Sequence, residues 1–236
     1  RSVARTGTKR GLAPLAPAAG SAAATGRATT TSTWSSRTTS GEAPEAGADE
    51  RLPDRLPAPQ TSAEARAYLA GSLAAMRADK PAHALLFLNA ILHSDHLTER
   101  GRADVYWLSI EANRLARDEA ALTDALGGFL VAAAVVPADD DIRAREIEAR
   151  SALLAHKVKS RALFGKSPDA AIPIEDAREA PGVVAELGCG KDGSAPWVED
   201  KVSTVPFAQR RLEERRLICS DTGESLVLWF DVTSAR

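Results

Sequence analysis

From residue 61 to about residue 157, apolar side chains recur at intervals of three and four positions with charged or small residues between them. That is the period of helices with one buried face. Thr61 and Glu64 stand at capping-box spacing ahead of Ala65, Leu69, Leu73 and Met76, which predicts a helix over about 62–78. Asp79 is placed to cap a second helix whose stripe is Leu85, Leu88, Ile91 and Leu92, with Pro81 in its first turn, where a missing N–H costs little. Thr98 precedes a third helix carrying Val105, Leu108, Ala112 and Leu115. Asp118 caps a fourth through Leu122, Leu126, Phe129 and Ala133, which must stop before Pro137. Asp139 to Asp141 open a fifth containing Ile142, Ile147, Leu153 and Leu154. Short connections between five such helices predict an antiparallel array.

Beyond Gly165 the period changes. Prolines at 168, 173 and 181 interrupt the helical pattern, and β-forming side chains take over. Leu217-Ile218-Cys219 and Leu226-Val227-Leu228-Trp229-Phe230 flank Ser220-Asp221-Thr222-Gly223-Glu224, in which Asp221 and Thr222 suit a type I turn and Gly223 the left-handed position after it. This predicts a β-hairpin, with Val183 to Leu187 as its expected third strand. The expected fold class is α+β. A helical-repeat domain over residues 61–165 is followed by a linker at 166–180 and a small β domain at 181–236.

Placing Arg77-Ala78-Asp79 over Ala116-Arg117-Asp118 aligns the second and fourth helices at an offset of 39 residues, each preceded by a longer helix. With Ala82, Ala84 and Ala90 where helices must approach closely, residues 62–157 resemble tetratricopeptide-type repeats over roughly two and a half units. The resemblance implies a curved stack whose concave face holds a segment of another protein. Tyr68, Tyr106 and Trp107 are the candidate partner-binding anchors, because aromatic side chains dominate interface energetics. The alternative is an Ala-rich bundle without a groove. The closing Leu-Trp-Phe-Asp-Val resembles the ending of some uncharacterised bacterial proteins in which a helical region precedes a short β segment.

Residues 1–60 hold 15 Ser/Thr, 13 Ala, 6 Pro and 6 Gly, but only six large apolar side chains. Ordering them costs roughly 1–2 kcal/mol per residue with almost no burial to offset it, so a disordered tether is expected. Its first forty residues carry Arg1, Arg5, Lys9, Arg10, Arg27 and Arg37 and no acid. That composition fits a flexible linker of an exported protein, or an organellar transit segment. Membrane tethering would come through residues ahead of Arg1. Within the chain the longest uncharged apolar run, Ala125 to Ala138, has 14 residues, short of the roughly 20 that span a bilayer. Thirty Lys+Arg against 32 Asp+Glu, for a net charge of −2, together with few aromatics, argues against a nucleic-acid binder.

The chemistry-bearing residues are sparse. Val183-Val184-Ala185-Glu186-Leu187-Gly188-Cys189-Gly190-Lys191-Asp192-Gly193 resembles the first motif of S-adenosylmethionine-dependent methyltransferases, which implies cofactor binding at the Gly188 to Gly193 turn. The third glycine arrives one residue late, Pro196 interrupts the helix that should follow, and only 43 residues remain after Gly193. Cys189 and Cys219 are the only two cysteines, both at expected strand ends, and a disulfide between them would point to an oxidising compartment. Two buried free thiols are the alternative. His93, Asp95 and His96 cluster in the turn between the second and third helices, with Glu99 one turn on, and are read as loop polarity rather than a metal site. Arg210, Arg211, Arg215 and Arg216 surround Glu213 and Glu214; on a helix Arg211 and Arg215 would stack one turn apart and form an anion-binding candidate. No nucleophile and base stand in a recognisable motif. The expectation is therefore a non-enzymatic interaction or scaffold protein with no cofactor and a protein or peptide partner. Its expected location is the envelope, periplasm or exterior, then an organelle, then the cytoplasm. A methyltransferase-like enzyme and an organellar assembly subunit are the rivals.

Overall fold

A computed structural model describes Pro53 and residues 55–235, which belong to one compact unit. Most of the expected tether lies outside the described residues. The protein is α+β, with six helices among the described residues followed by, and interleaved with, a four-stranded mixed sheet.

Helices α1 (Ser62–Arg77), α2 (Pro81–Leu92), α3 (Glu99–Ala116), α4 (Glu119–Ala133) and α5 (Asp140–Ser160) follow one another through short turns. Their starts are set by side chains that satisfy otherwise orphaned backbone N–H groups. Thr61 Oγ1 accepts from Glu64 N at 3.1 Å, Thr98 Oγ1 from Gly101 N at 3.0 Å, Asp118 from Ala121 N at 3.0 Å and Asp139 from Ile142 N at 2.8 Å. One expected cap is absent. Asp79 adopts φ +55° in the turn, and Lys80 precedes α2 without a side-chain cap bond. Pro81 supplies the start instead, since its fixed φ suits the first helical position. The hairpins α1–α2 and α3–α4 begin their second helices at Pro81 and Glu119, an offset of 38 rather than the 39 of the sequence alignment, and a left-handed residue, Asp79 or Arg117, lies two positions before each start.

Three hydrophobic clusters lie in series. Leu88, Ile91, Val105 and Ala112 form the first, between α1, α2 and α3. The second joins α3, α4 and α5 through Ile110, Leu126, Phe129 and Ile142. In the third, Leu154, Ala155 and Val158 of α5 meet Val183, Val184, Leu217, Leu228 and Phe230. Each fully buried Leu, Ile, Val or Phe among these contributes roughly 1.5–3 kcal/mol. Small residues set the helix spacing: Ala84, Ala103, Ala112 and Ala149 are wholly inaccessible.

The expected strand at Val183 to Leu187 is a helix, α6 (Glu179–Leu187). Ala180, Val183, Val184 and Leu187 fall at i, i+3, i+4 and i+7, all are buried, and all four join the cluster on α5. Helical burial overrode the β preference of the paired valines. The sheet has the order β1-β4-β3-β2, with β1 (Ile172–Pro173) parallel to β4 (Ser225–Asp231), and β2 (Trp197–Phe207) and β3 (Arg210–Cys219) completing an antiparallel meander. The expected hairpin is β3–β4, its turn closed by Gly223 N donating to Cys219 O at 2.9 Å, with Gly223 at φ +72°. Strand β2 is a free edge carrying a bulge between Glu199 and Lys201 and a proline at 206, features that discourage further strand pairing.

Candidate functional site

Helix α3 has three working faces. Val105 and Ala112 enter the first cluster, and Ala103 and Ile110 the second. Tyr106, Ser109 and Asn113, at i, i+3 and i+7, form the floor of a groove of about 490 Å3. Leu85, Asn89 and Leu92 of α2 make one wall, again at i, i+4 and i+7, and Ala121, Asp124 and Ala125 of α4 make the other, with Asp118 at its end. Helical period alone therefore brings three stripes to one surface. The volume lies in the usual range of ligand pockets, roughly 300–1,000 Å3.

The groove's polar groups are arranged unevenly. Ser109 donates its hydroxyl to Val105 O at 2.9 Å within its own helix. Asn113 is 4% exposed; its amide donates to Ala121 O at 3.4 Å, and its Oδ1 is a buried side-chain atom without a hydrogen-bond partner. An orphaned buried acceptor costs on the order of 1–3 kcal/mol. Asp118 uses one oxygen to cap α4, and neither it nor Asp124 forms a salt bridge among the described residues. Among the described residues, no Lys, Arg or His lines the groove. Tyr106 is fixed from behind by the absence of a side chain at Gly128, where a Cβ would lie 2.7 Å from Tyr106 Cζ.

A second cleft, of about 560 Å3, lies where α5 meets β1, the start of α6 and the end of β4. Leu153, Leu154 and Ile174 give it an apolar wall; Arg150, Lys157 and Arg210 face Glu175, Glu179 and Asp231 around it. Arg150 is ion-paired with Glu175, and Arg210 reaches Asp231 at 3.6 Å. Glu179 is 2% exposed. Burial pushes its carboxyl above the ordinary range, against a hydrogen bond donated by Glu175 N at 3.1 Å and the field of Arg150. At the neighbouring turn the side chain of Arg178 holds Asp176 down to about 2.

The residues singled out in the sequence are dispersed. Tyr106 lines the groove. Tyr68 packs edge-on against Phe87 with centroids 5.5 Å apart, within the first cluster. Trp107 packs edge-on against Phe129 at 5.2 Å, under the guanidinium of Arg145 at 5.4 Å. The structure thus does not bring the three aromatics to one surface. Arg211 and Arg215 lie on strand β3 rather than a helix, four residues or about 13 Å apart. Arg215 is buried, ion-paired with Glu199 and Glu213, and sits over the Phe230 ring at 5.7 Å, while Arg211 donates to Val232 O at 3.1 Å. They are not an assembled anion pair. His93 meets Asn89 O within the end of α2, whereas His96 meets Gln60 O, each at 2.7 Å, and Ser94 donates to Pro59 O at 3.2 Å, so the turn after α2 holds the segment entering α1. Asn113 and Asp124 are the functional candidates that sequence reasoning missed. The available signal was a polar residue repeating on one face of an otherwise apolar helix.

Cys189 and Cys219 are bonded to each other, with Cα atoms 5.7 Å apart. Trp197 Nε1 donates to Gly188 O at 2.8 Å, and Cys189 and Ala195 exchange backbone bonds at 2.7 and 3.1 Å, so the Gly188 to Gly193 turn is folded onto itself. Gly188 has φ +53°, and any Cβ there would strike Gly193 O. The element before this turn is α6 rather than a strand, which removes the strand–turn–helix order that a methyltransferase cofactor site requires. No helix among the described residues is long and apolar enough to cross a membrane. Comparison of the chain with protein-family models, curated proteins and solved structures finds no match.

Proposed function

We propose that this protein is a non-enzymatic interaction or scaffold protein, exported or envelope-associated, that binds a partner protein through its helical-repeat surface. The observation that carries this reading is the groove over α3, where α2, α3 and α4 each contribute a stripe of side chains to a single concavity. Helical arrays form such surfaces because each hairpin covers its neighbour on one side and leaves another face open. The Cys189–Cys219 bond supports the exported location, since disulfides persist in oxidising compartments.

Site-specific photo-crosslinking tests the reading. A photoreactive residue at Asn89, on the groove wall, is expected to give one discrete adduct in the native host, and the same residue at Val198 on the free edge of β2 is expected to give none. Adducts at Val198 and none at Asn89 would overturn the helical surface as the binding face. Mass spectrometry of the native protein tests the compartment separately: alkylation of both thiols without reductant removes the argument for export.

A further inference from the structure

We infer that the cleft between α5 and the carboxyl ends of β1 and β4 binds a small apolar zwitterion, of the class of a hydrophobic dipeptide, with its ammonium on Glu179 and its carboxylate on Lys157. This site is separate from the groove over α3 and does not depend on the reading of that surface.

Three observations converge on it. The first is the place. Pro173 ends β1 and is followed by Ile174 and Glu175, and Asp231 ends β4 and is followed by Thr233 and Ser234. The cleft therefore opens just beyond two parallel strands, where the loops that follow leave room for a ligand. At about 560 Å3 it is large enough for one of this size. The second is the charge left over. Of the six charged groups around the cleft, Arg150 is ion-paired with Glu175 and Arg210 with Asp231. Glu179 and Lys157 form no ion pair among the described residues. Glu179 is 2% exposed, and only its Oε2 accepts a hydrogen bond, from Glu175 N at 3.1 Å. Its Oε1 accepts none, yet that oxygen is not sealed in: among the described residues, Asn113 Oδ1 is the only buried side-chain atom both unpartnered and out of reach of solvent. A buried carboxylate without a counter-ion is costly, and burial holds this one above the ordinary range. An ammonium arriving through the cleft supplies both the missing charge and a donor. The third is the wall between the two groups. Arg150, Leu153, Leu154 and Lys157 fall at i, i+3, i+4 and i+7 on α5, so the two leucines separate the Glu179 end from Lys157, and Leu130 and Ile174 complete the apolar lining. Seven residues of helix rise about 10 Å, a gap that a dipeptide bridges once Lys157 extends its stem back toward the helix N-terminus.

Isothermal titration calorimetry of the full chain with Leu-Leu, at two temperatures, tests the inference. The Kd is expected below about 1 mM, the range a well-placed ligand of this size reaches. N-acetyl-Leu-Leu, which lacks the ammonium, should bind at least about tenfold more weakly. Leu-Leu-amide should lose only about two- to fivefold, since Lys157 is exposed. Glu179→Gln keeps an acceptor for Glu175 N and should melt no lower than the parent. It should weaken Leu-Leu by about tenfold or more while changing N-acetyl-Leu-Leu less than about twofold. Lys157→Gln should match the loss on amidation, whereas Lys159→Gln, an exposed lysine of α5 outside the cleft lining, should change binding less than about twofold. No binding at about 10 mM Leu-Leu, tenfold above the expected range, would overturn the inference. So would equal affinity for N-acetyl-Leu-Leu, or an unchanged Kd in Glu179→Gln. Gly-Gly binding as tightly as Leu-Leu would overturn it too, because the apolar wall would then contribute nothing. If Glu179→Gln does not fold, the peptide series on the parent chain decides the matter alone.

Discussion

Breaking the Cys189–Cys219 bond should cost a large share of the stability of this protein. The bonded residues are 30 apart in the chain. Closing a loop of that length lowers the entropy of the unfolded chain by about 12 cal/mol/K, or about 3.6 kcal/mol at 25 °C in the chain-entropy account. Against the roughly 5–15 kcal/mol that typically holds a domain together, this is about a quarter to nearly three quarters of the total. The enclosed loop runs from the end of α6 through β2 into β3, so what the bond constrains is the attachment of the most exposed strand. Urea unfolding of the oxidised protein, the reduced protein and the Cys189→Ala/Cys219→Ala double variant measures the effect. Reduction keeps both sulfur atoms in place and isolates the cross-link, while alanine avoids burying a hydroxyl at Cys219, which is 1% exposed. With a slope of about 2 kcal/mol per molar urea, the midpoint should fall by about 2 M. A fall smaller than about 0.5 M would refute the loop-entropy reasoning. It would mean that the Cys189–Ala195 backbone bridge and the Trp197–Gly188 hydrogen bond already hold this segment, or that the unfolded chain keeps it compact.

Adjacent glycines in α4 should respond in opposite directions. Gly127→Ala meets open space and is expected to gain about 1 kcal/mol in thermal or urea unfolding, whereas Gly128→Ala drives a methyl into the Tyr106 ring and should cost about 1–3 kcal/mol. Glu179→Gln should stabilise the protein by on the order of 1 kcal/mol at pH 8, because it removes a buried charge while keeping an acceptor for Glu175 N. The native carboxyl titrates above the unfolded one, so the parent is relatively most stable below the unfolded pKa and loses that advantage as pH rises through the native one. The variant's gain should therefore vanish near pH 4, and a loss at pH 8 would show that Arg150 more than offsets the burial. Ala208→Gly should gain about 1 kcal/mol, since Ala208 sits at φ +53° in the β2–β3 turn, a conformation that is costly for any residue with a Cβ.

The helical part was legible because its signals agree with one another. Capping oxygens at Thr61, Thr98, Asp118 and Asp139 mark starts, and stripes such as Leu85, Leu88, Ile91 and Leu92 confirm the period. The rest failed where local preference and burial disagree. Val183-Val184 favours a strand in isolation, but four residues at helical spacing had a core on α5 to fill. Strand β2 was invisible because nearly all of its residues are exposed or half-exposed on both faces, so no alternation of apolar and polar side chains develops. Strand β3 mixes Arg210, Arg211, Glu213, Glu214, Arg215 and Arg216 among its apolar residues; this looks like a solvated helix until Arg215 is paired inward with Glu199 and Glu213. The same limit hid the groove. A large aromatic such as Tyr106 stands out in a sequence, whereas Asn113 is distinguished by a buried oxygen without a partner, and no sequence shows an unmade hydrogen bond.

The serial arrangement of the three cores bears on why the groove sits where it does. Helix α5, 21 residues and about 31 Å long, gives Ile142, Ala149 and Ala152 to the second cluster and Leu154, Ala155 and Val158 to the third. Its side chains therefore reach from the helical array into the core that packs on the sheet. Helix α3 plays the corresponding part between the first and second clusters, so it is clamped along two of its sides, and Arg100 and Arg145 tie the layer to Asp104, Asp139 and Asp141 from outside. A helix held on two sides has little freedom to rotate, and the side chains on its third side keep fixed positions. Rigidity of this kind lowers the ordering cost of binding, because the floor does not have to be organised when a ligand arrives. An orphaned amide on that floor is tolerable for the same reason: the two flanking cores supply the stability that offsets it, and the helix cannot turn to hide it.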